Sequence, residues 1–340
     1  MRALVLDDFW AMSVHDRPDP TPGPGEVVLR IAATGICGSD LHGFTGDNGR
    51  RRPGQVMGHE TVGRVESVGP GVDVAVGTAA TAYPVLACGA CPACRAGRAQ
   101  VCPHRTVIGV DPARSAAFAD RLLLPATNVV PLPDTLPIEL GALVEPLAVG
   151  YHAARRGGVG PDETVLVLGG GPIGQAAVLG ARQLGATRIA VSEPDPDRRA
   201  LCTALGAHAI EPADVPARAA DALGDPPTVA IDAVGLAGTL ADALAATAPG
   251  ARVVLVGMGA PRVELSAYAV STEERTLVGS FCYTAEEFAD TAAWAGTVPD
   301  VLAPLVTESV PVTDAPAAFT RLARRETTAS KILVRFEEES

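Results

Sequence analysis

The chain has 340 residues, enough for two domains that each bury a core. It carries 27 Lys and Arg against 39 Asp and Glu, a net charge of −12 with a pI of about 5.0. No bulk positive field is therefore available to hold nucleic acid or an anionic membrane surface. A hydrophobic content of 47% and a mean hydropathy of +0.23 mark a globular chain.

The first ten residues include Asp7 and Asp8 and lack the apolar run of a signal peptide, which points to a cytoplasmic protein. Up to about residue 150 the chain shows short β-rich runs broken by Pro and Gly. Val27-Val28-Leu29-Arg30-Ile31 and residues 61–68 are examples, flanked by Pro22-Gly23-Pro24-Gly25 and Gly69-Pro70-Gly71. This reads as a compact β-barrel-like domain. Arg50, Arg51 and Arg52 form the longest basic cluster and read as a surface loop, within a 45–53 segment that has no readable pattern.

Cys88, Cys91, Cys94 and Cys102 follow, spaced C-x2-C-x2-C-x7-C in an inserted lobe. Four thiolates complete a tetrahedron and leave no coordination position open, so the spacing reads as a closed structural zinc site. A pair of disulfides is the competing reading. Nothing else in the chain indicates export, and seven cysteines suit a reducing compartment. A second, scattered set comprises Cys37, His59, Glu60 and Glu145. It mixes sulfur, nitrogen and carboxylate, as a zinc site does when it keeps a position for chemistry.

From residue 164 the rhythm becomes strand, helix, strand. Residues 164–181 are uncharged and long enough to raise the question of a membrane span, but Gly169, Gly170, Gly171, Pro172 and Gly174 sit in the middle. Val165-Leu166-Val167-Leu168 is a strand, residues 175–184 a helix, residues 188–193 a strand and residues 198–205 a helix. Further buried strands are expected at 229–232, 253–256 and 277–283. Alternating βα units imply an α/β fold with a doubly wound parallel sheet. The tail carries a helical pattern and a strand at 331–336, and is expected to return to the first domain.

Gly169-Gly170-Gly171-Pro172-Ile173-Gly174 matches G-x-G-x-x-G between a strand and a helix, the pattern that lets a backbone approach a pyrophosphate. Glu193 closes the next strand nineteen residues later, where an acid binds the adenosine ribose. That carboxylate favours NAD over NADP; Arg198 and Arg199 beside it could instead accept a 2′-phosphate. Lys331 is the one lysine of the chain and reads as part of a strand. Schiff-base chemistry, a Tyr-x-x-x-Lys relay and a P-loop are excluded on this sequence.

Cys37-Gly38-Ser39-Asp40-Leu41-His42, Gly58-His59-Glu60, the four-cysteine lobe, Glu145-Pro146 and the dinucleotide motif occur in one order. In combination the chain resembles the zinc-dependent medium-chain alcohol dehydrogenases, in particular the sorbitol and threonine dehydrogenase branch. The resemblance spans essentially the whole chain. It implies a GroES-like catalytic domain over residues 1–150 with the zinc lobe at 88–102, a Rossmann domain over 151–284, and a segment 285–340 returning to the first domain. The active site is implied in the cleft between the domains.

Two zinc ions per chain are implied. Cys37 and His59 resemble ligands of the catalytic one, with Glu60 bound directly or waiting outside the first set of ligands. Glu145 falls where alcohol dehydrogenases proper place a cysteine and the polyol branch a glutamate. Asp40 would orient His59. Ser39 and His42 resemble the outlet for the alcohol proton, by way of the cofactor ribose. Val256, Gly257 and Met258, with Ser280 and Phe281, resemble the backbone contacts to the nicotinamide side. Phe118 is a candidate for a pocket wall or for core, and Cys202 for a small buried residue.

Phe281-Cys282-Tyr283 stands where polyol dehydrogenases carry a substrate-binding arginine nearby. The expected activity is reversible oxidation of a secondary alcohol (polyol, sugar or amino alcohol) with NAD. An NADP-dependent zinc ketone reductase and a non-catalytic cofactor-binding scaffold are the alternatives. Partners are expected to be small-molecule alcohols or ketones and further copies of the chain, as a homodimer or homotetramer.

Overall fold

The computed structural model describes residues 1–47, 49–114 and 116–336. One residue of the 45–53 loop and the last four of the 285–340 segment thus lie outside the described residues. The chain divides into two compact units, Met1–Glu145 with Thr284–Ser340, and Pro146–Tyr283.

The first unit begins with a hairpin, β1 (Arg2–Asp8) and β2 (Ala11–Asp16). Then come β3 (Glu26–Gly35), β4 (Glu60–Val68), β5 (Ala79–Ala82), the short β6 (Val85–Leu86) and β7 (Thr106–Val107), β8 (Arg121–Pro125) and β9 (Val129–Pro131). β3 organises the unit. Its ten residues pair with β4 on one edge, and its opposite edge takes β8 along Glu26–Arg30.

Gly63 in β4 has a steric cause. Its Cβ would stand 2.0 Å from the Arg30 carbonyl oxygen, beside a register shift between Ile31 and Ala33. Only glycine lets the strands approach there.

The helix Gly38–Thr45 is anchored to the core through Phe44. Phe44 and Phe118 each pack on Phe319, with ring centroids 5.6 and 5.5 Å apart, and all three are buried. Each such ring contributes roughly 1.5–3 kcal/mol on burial. The contact fixes the helix whose first turns carry Ser39, Asp40 and His42. Phe118 is therefore core, fully buried against Gly58.

The second unit is a six-stranded parallel sheet: β10 (Thr164–Leu168), β11 (Arg188–Ser192), β12 (His208–Ile210), β13 (Val229–Asp232), β14 (Arg252–Leu255) and β15 (Thr276–Gly279). Their order is β12-β11-β10-β13-β14-β15, so the winding reverses between β10 and β13. β10 is buried along its whole length, which explains its unbroken apolar sequence. β15 is shorter than the 277–283 run read from hydropathy. The chain leaves the strand at Ser280 and Cys282 adopts φ +48°, a conformation that cannot continue a strand.

The tail adds β16 (Val306–Pro311) and β17 (Lys331–Arg335) to the first unit. β17 pairs antiparallel with β3 over Ala33–Gly35, so the larger sheet runs β16-β17-β3-β4-β5-β9 with β8 on the side of β3. The junction between units falls in the helix Val144–Arg156, whose first turn holds Glu145. No described helix is long and apolar enough to cross a membrane.

Candidate metal centre and cofactor turn

Cys37 sits just before the helix Gly38–Thr45, and His59 just before β4, which opens with Glu60. Strand pairing brings these distant positions together: Gly35 of β3 lies opposite Glu60. Donor atoms of Cys37, His59 and Glu60 all lie within 4.8 Å of one another, a spacing that one metal ion can bridge. Glu145 is buried but is not one of these three.

Asp40 is fully buried in the first turn of its helix. One carboxylate oxygen accepts from Cys37 N–H at 3.2 Å, and the other is 3.6 Å from His59 Nδ1. That leaves His59 Nε2 on the side of Ser39, whose hydroxyl is 3.5 Å away. Burial disfavours a charged imidazole, yet Asp40, Cys37 and Glu145 outweigh it and raise His59 to about 10. Such a concentration of negative charge around a buried imidazole and a half-buried thiol fits a bound cation. His42 lies exposed on the next turn from Ser39.

Two cations behind this cluster were not legible as site residues. The Arg50-Arg51-Arg52 run reads from sequence as a surface loop, but Arg51 is 2% exposed and its guanidinium is 3.5 Å from Asp40. The correction has a local cause. The Arg51 stem lies against Gly43, where a Cβ would come within 2.3 Å of Arg51 Cγ, so a glycine on the helix opens the way inward. Lys331 is also buried, with its ammonium 2.5 Å from Glu60 Oε2 and 3.2 Å from the Ile36 carbonyl oxygen. Burial alone would lower the Lys331 pKa; Glu60, then Cys37 and Glu145, raise it. Its one clue was compositional: a single lysine in an arginine-rich chain.

The four lobe cysteines also converge. Sγ–Sγ distances are 3.5 Å for Cys91–Cys94, 3.5 Å for Cys88–Cys102 and 3.9 Å for Cys88–Cys94. Every cysteine is free, which removes the disulfide reading. Thiolates at about 2.3 Å from one zinc ion stand roughly 3.8 Å apart at the corners of a tetrahedron, so the lobe fits that ion. Backbone N–H groups of Ala90 and Cys91 lower Cys88 to about 6, while burial and the neighbouring thiols push Cys94 up to about 12.

In the second unit Gly169, at φ +91°, turns the chain out of β10, and Pro172 opens the helix Pro172–Gln183. A Cβ on Gly174 would stand 1.7 Å from the Gly169 carbonyl oxygen, while one on Gly171 would meet nothing nearer than Arg198, at 4.0 Å. Ile173 lies in the first turn of the helix. Glu193 follows β11, buried, accepting from Gly170 N–H at 2.6 Å and Asp195 N–H at 2.9 Å. Its carboxylate braces the turn, a contact that spacing alone did not reveal.

Arg198 approaches the turn with a buried Nε that has no hydrogen-bond partner, whereas Arg199 holds the carbonyl oxygens of Glu193 and Pro194. Val256, Gly257 and Met258 lie just beyond β14, with Gly257 against the backbone of Val234 and Gly235. Ser280 Oγ, beyond β15, is buried without a partner, and Phe281 is half-exposed. Asp232, legible in the sequence only as the end of a strand, closes β13 fully buried and accepts from Val234 N–H, Gly235 N–H and the Thr239 hydroxyl. Cys202 is buried behind Gly170.

Residues 23–134 match the alcohol dehydrogenase GroES-like domain, and residues 172–296 the zinc-binding dehydrogenase domain. A sorbitol dehydrogenase of Arabidopsis thaliana is 36% identical over 78% of this chain and 76% of its own length. The chain belongs to the zinc-dependent medium-chain alcohol dehydrogenases. An L-threonine 3-dehydrogenase of Pyrococcus abyssi, also 36% identical, covers 72% of each chain and marks the same branch of that family. The alcohol dehydrogenase TADH of Thermus sp. ATN1 superposes with a TM-score of 0.91 at 30% identity, over 99% of this chain and all of its own. As a medium-chain dehydrogenase, this chain is a zinc- and NAD(P)-type oxidoreductase with a GroES-like and a Rossmann unit.

Proposed function

We propose that this dehydrogenase oxidises the secondary hydroxyl of a polyol, sugar or amino alcohol reversibly, with NAD. The convergence of Cys37, His59 and Glu60 donors within 4.8 Å carries the reading. Similarity to a sorbitol dehydrogenase and an L-threonine 3-dehydrogenase supports the substrate class.

Cys37 and His59 would hold the catalytic zinc, with a carboxylate from Glu60 or Glu145, and Cys88, Cys91, Cys94 and Cys102 a structural one. When bound, the zinc ion lowers the pKa of the alcohol hydroxyl and the nicotinamide accepts the hydride. Asp40 orients His59 from behind. Ser39 Oγ, at 3.5 Å from His59 Nε2, receives the alcohol proton, and exposed His42 releases it to solvent. Phe44, wedged into the core, fixes the helix that carries both groups.

The glycines at 169, 171 and 174, with Pro172 and Ile173, would cradle the pyrophosphate at the helix N-terminus. Glu193 sets a negative charge at the end of β11 that disfavours a 2′-phosphate, with Arg198 beside it. Ser280, Phe281 and the 256–258 backbone would meet the nicotinamide side. A homodimer or homotetramer is the expected assembly; the edge position of β15 among the described residues and the exposed Met258, Leu265 and Tyr268 in the segment before it support it. Seven free thiols suit a reducing cytoplasm.

The test is reduction of NAD and of NADP by the zinc-loaded enzyme across polyols, sugar acids and amino alcohols. Turnover of a secondary alcohol with NAD is expected. A clear preference for NADP would assign Arg198 the phosphate and displace the NAD reading; activity confined to primary alcohols would displace the substrate class.

A further inference from the structure

We infer that Asp232 is a positioning residue of the cofactor groove, whose carboxylate shapes the 233–236 turn and, through it, the turns on either side. This rests on a dinucleotide lying against the Gly169–Gly174 turn, as proposed above.

β10 and β13 are neighbours, and the winding of the sheet reverses between them. The crevice beyond the C-terminal ends of two such strands is where an open parallel sheet binds a ligand. The turn after β10 forms one wall of that crevice and the turn after β13 the other. Asp232 is the last residue of β13 and is fully buried at the root of its turn, while Ala233, Val234 and Gly235 stay half-exposed.

Both carboxylate oxygens are committed. Oδ1 accepts from Val234 N–H and Gly235 N–H, each at 2.9 Å, and Oδ2 from the Thr239 hydroxyl at 3.1 Å. Held in this shape, the turn meets both neighbours closely. On one side Val234 Cγ2 would stand 2.5 Å from a Cβ on Gly169, itself at φ +91°. On the other, Gly257 N–H donates to the Asp232 carbonyl oxygen at 2.9 Å, Gly259 N–H to that of Val234 at 2.9 Å and Ala260 N–H to that of Gly235 at 3.0 Å. A Cβ on Gly257 would lie 2.2 Å from the Val234 carbonyl carbon, and one on Gly235, at φ +79°, would lie 2.3 Å from the Gly257 carbonyl oxygen. The turns at 169–171, 233–236 and 256–260 therefore stand in series, and the side chain that fixes the middle one is Asp232.

The requirement is for acceptor geometry rather than charge. Without oxygens at Asp232 two amides would lose their partner inside the protein, and the turn would reorient to find others. Asparagine keeps the arrangement. Its carbonyl oxygen can take both amides and its NH2 can donate to the Thr239 oxygen, whose own hydrogen then goes to the Leu236 carbonyl oxygen 3.0 Å away.

The experiment compares the zinc-loaded parent, Asp232→Ala, Asp232→Asn and Thr239→Val by NADH fluorescence titration, alcohol kinetics at saturating NAD, melting temperature and amide hydrogen exchange. Asp232→Ala should bind NADH at least about tenfold more weakly, while the alcohol KM stays within about twofold of the parent. Its amides should exchange faster in all three turns, 169–171, 233–236 and 256–260. Asp232→Asn should return NADH affinity to within about threefold of the parent. Thr239→Val, which leaves Oδ2 without its donor, should weaken NADH about threefold.

Parental NADH affinity in a folded Asp232→Ala overturns the proposal. So does an Asp232→Asn variant as weak as Asp232→Ala, which would place the effect in the charge. Faster exchange confined to 233–236 overturns it too, since Asp232 would then be a local support only. Where Asp232→Ala does not fold, Thr239→Val decides, and unchanged NADH affinity there sinks the idea. Failure of the underlying reading looks different: the parent itself would then bind no NADH.

Discussion

Arg51 places its guanidinium 3.5 Å from Asp40, and both side chains are buried behind the His59 ring. Asp40 is thus held between a cation and a prospective metal ligand. Arg51→Leu would strand the Asp40 carboxylate in the interior, at a cost of about 3 kcal/mol. It should also loosen His59 and weaken zinc binding about tenfold. Adding Asp40→Asn should recover most of the stability and little of the zinc affinity. Urea denaturation and zinc titration read the two effects separately. Recovery of both would mean that Asp40 has no part in orienting His59.

The glycine turn separates packing from binding. Gly174→Ala forces a methyl group to within 1.7 Å of the Gly169 carbonyl oxygen, so it should lower the melting temperature sharply and reduce soluble yield. Gly171→Ala meets only Arg198, at 4.0 Å, and should melt like the parent. Its methyl group would stand where the backbone has to approach a pyrophosphate, so NADH affinity should fall at least about tenfold. Normal NADH binding by Gly171→Ala, followed by fluorescence titration, would remove Gly171 from the cofactor site.

How far the sequence could be read depended on whether partners share a local pattern. Five of the six parallel strands announced themselves through apolar runs alternating with helices, as β10 and β13 illustrate, and the lobe through C-x2-C spacing; β12, only three residues long and opening on an exposed histidine, did not. The Lys331–Glu60 contact spans 271 positions and rests on strand register, which no local pattern encodes. Arg51 misled for a related reason. Three arginines in a row read as solvated, and what turns one of them inward is a glycine on a neighbouring helix. Glu193 was legible by position, but its grip on the Gly170 N–H depends on a side-chain direction that spacing leaves open.

The lobe should be structural. Cys94→Ser should lower the zinc content by about one per chain and destabilise the first unit. Residual turnover at low temperature should stay close to that of the parent. Loss of turnover with an unchanged melting temperature would place the lobe in the chemistry instead.

Asp242, on the helix Ala237–Ala246, has its pKa raised above 3.8 by burial. The folded state thus binds this proton more tightly than the unfolded chain does. The penalty for ionising Asp242 is complete above its folded pKa and vanishes as pH falls below 3.8. Asp242→Asn should therefore be more stable than the parent at pH 7, with the advantage fading toward pH 4. Urea denaturation at the two pH values measures this. An advantage that grew on acidification would reverse the sign and contradict the burial argument.

The central claim is that Cys37 and His59 hold a catalytic metal separate from the cysteine lobe. Zinc analysis of the parent and of Cys37→Ala, paired with secondary-alcohol oxidation, tests it most directly. The parent should carry about two zinc ions per chain, and Cys37→Ala about one, folded and without turnover. A Cys37→Ala enzyme that kept both ions, or that still oxidised the alcohol, would contradict it.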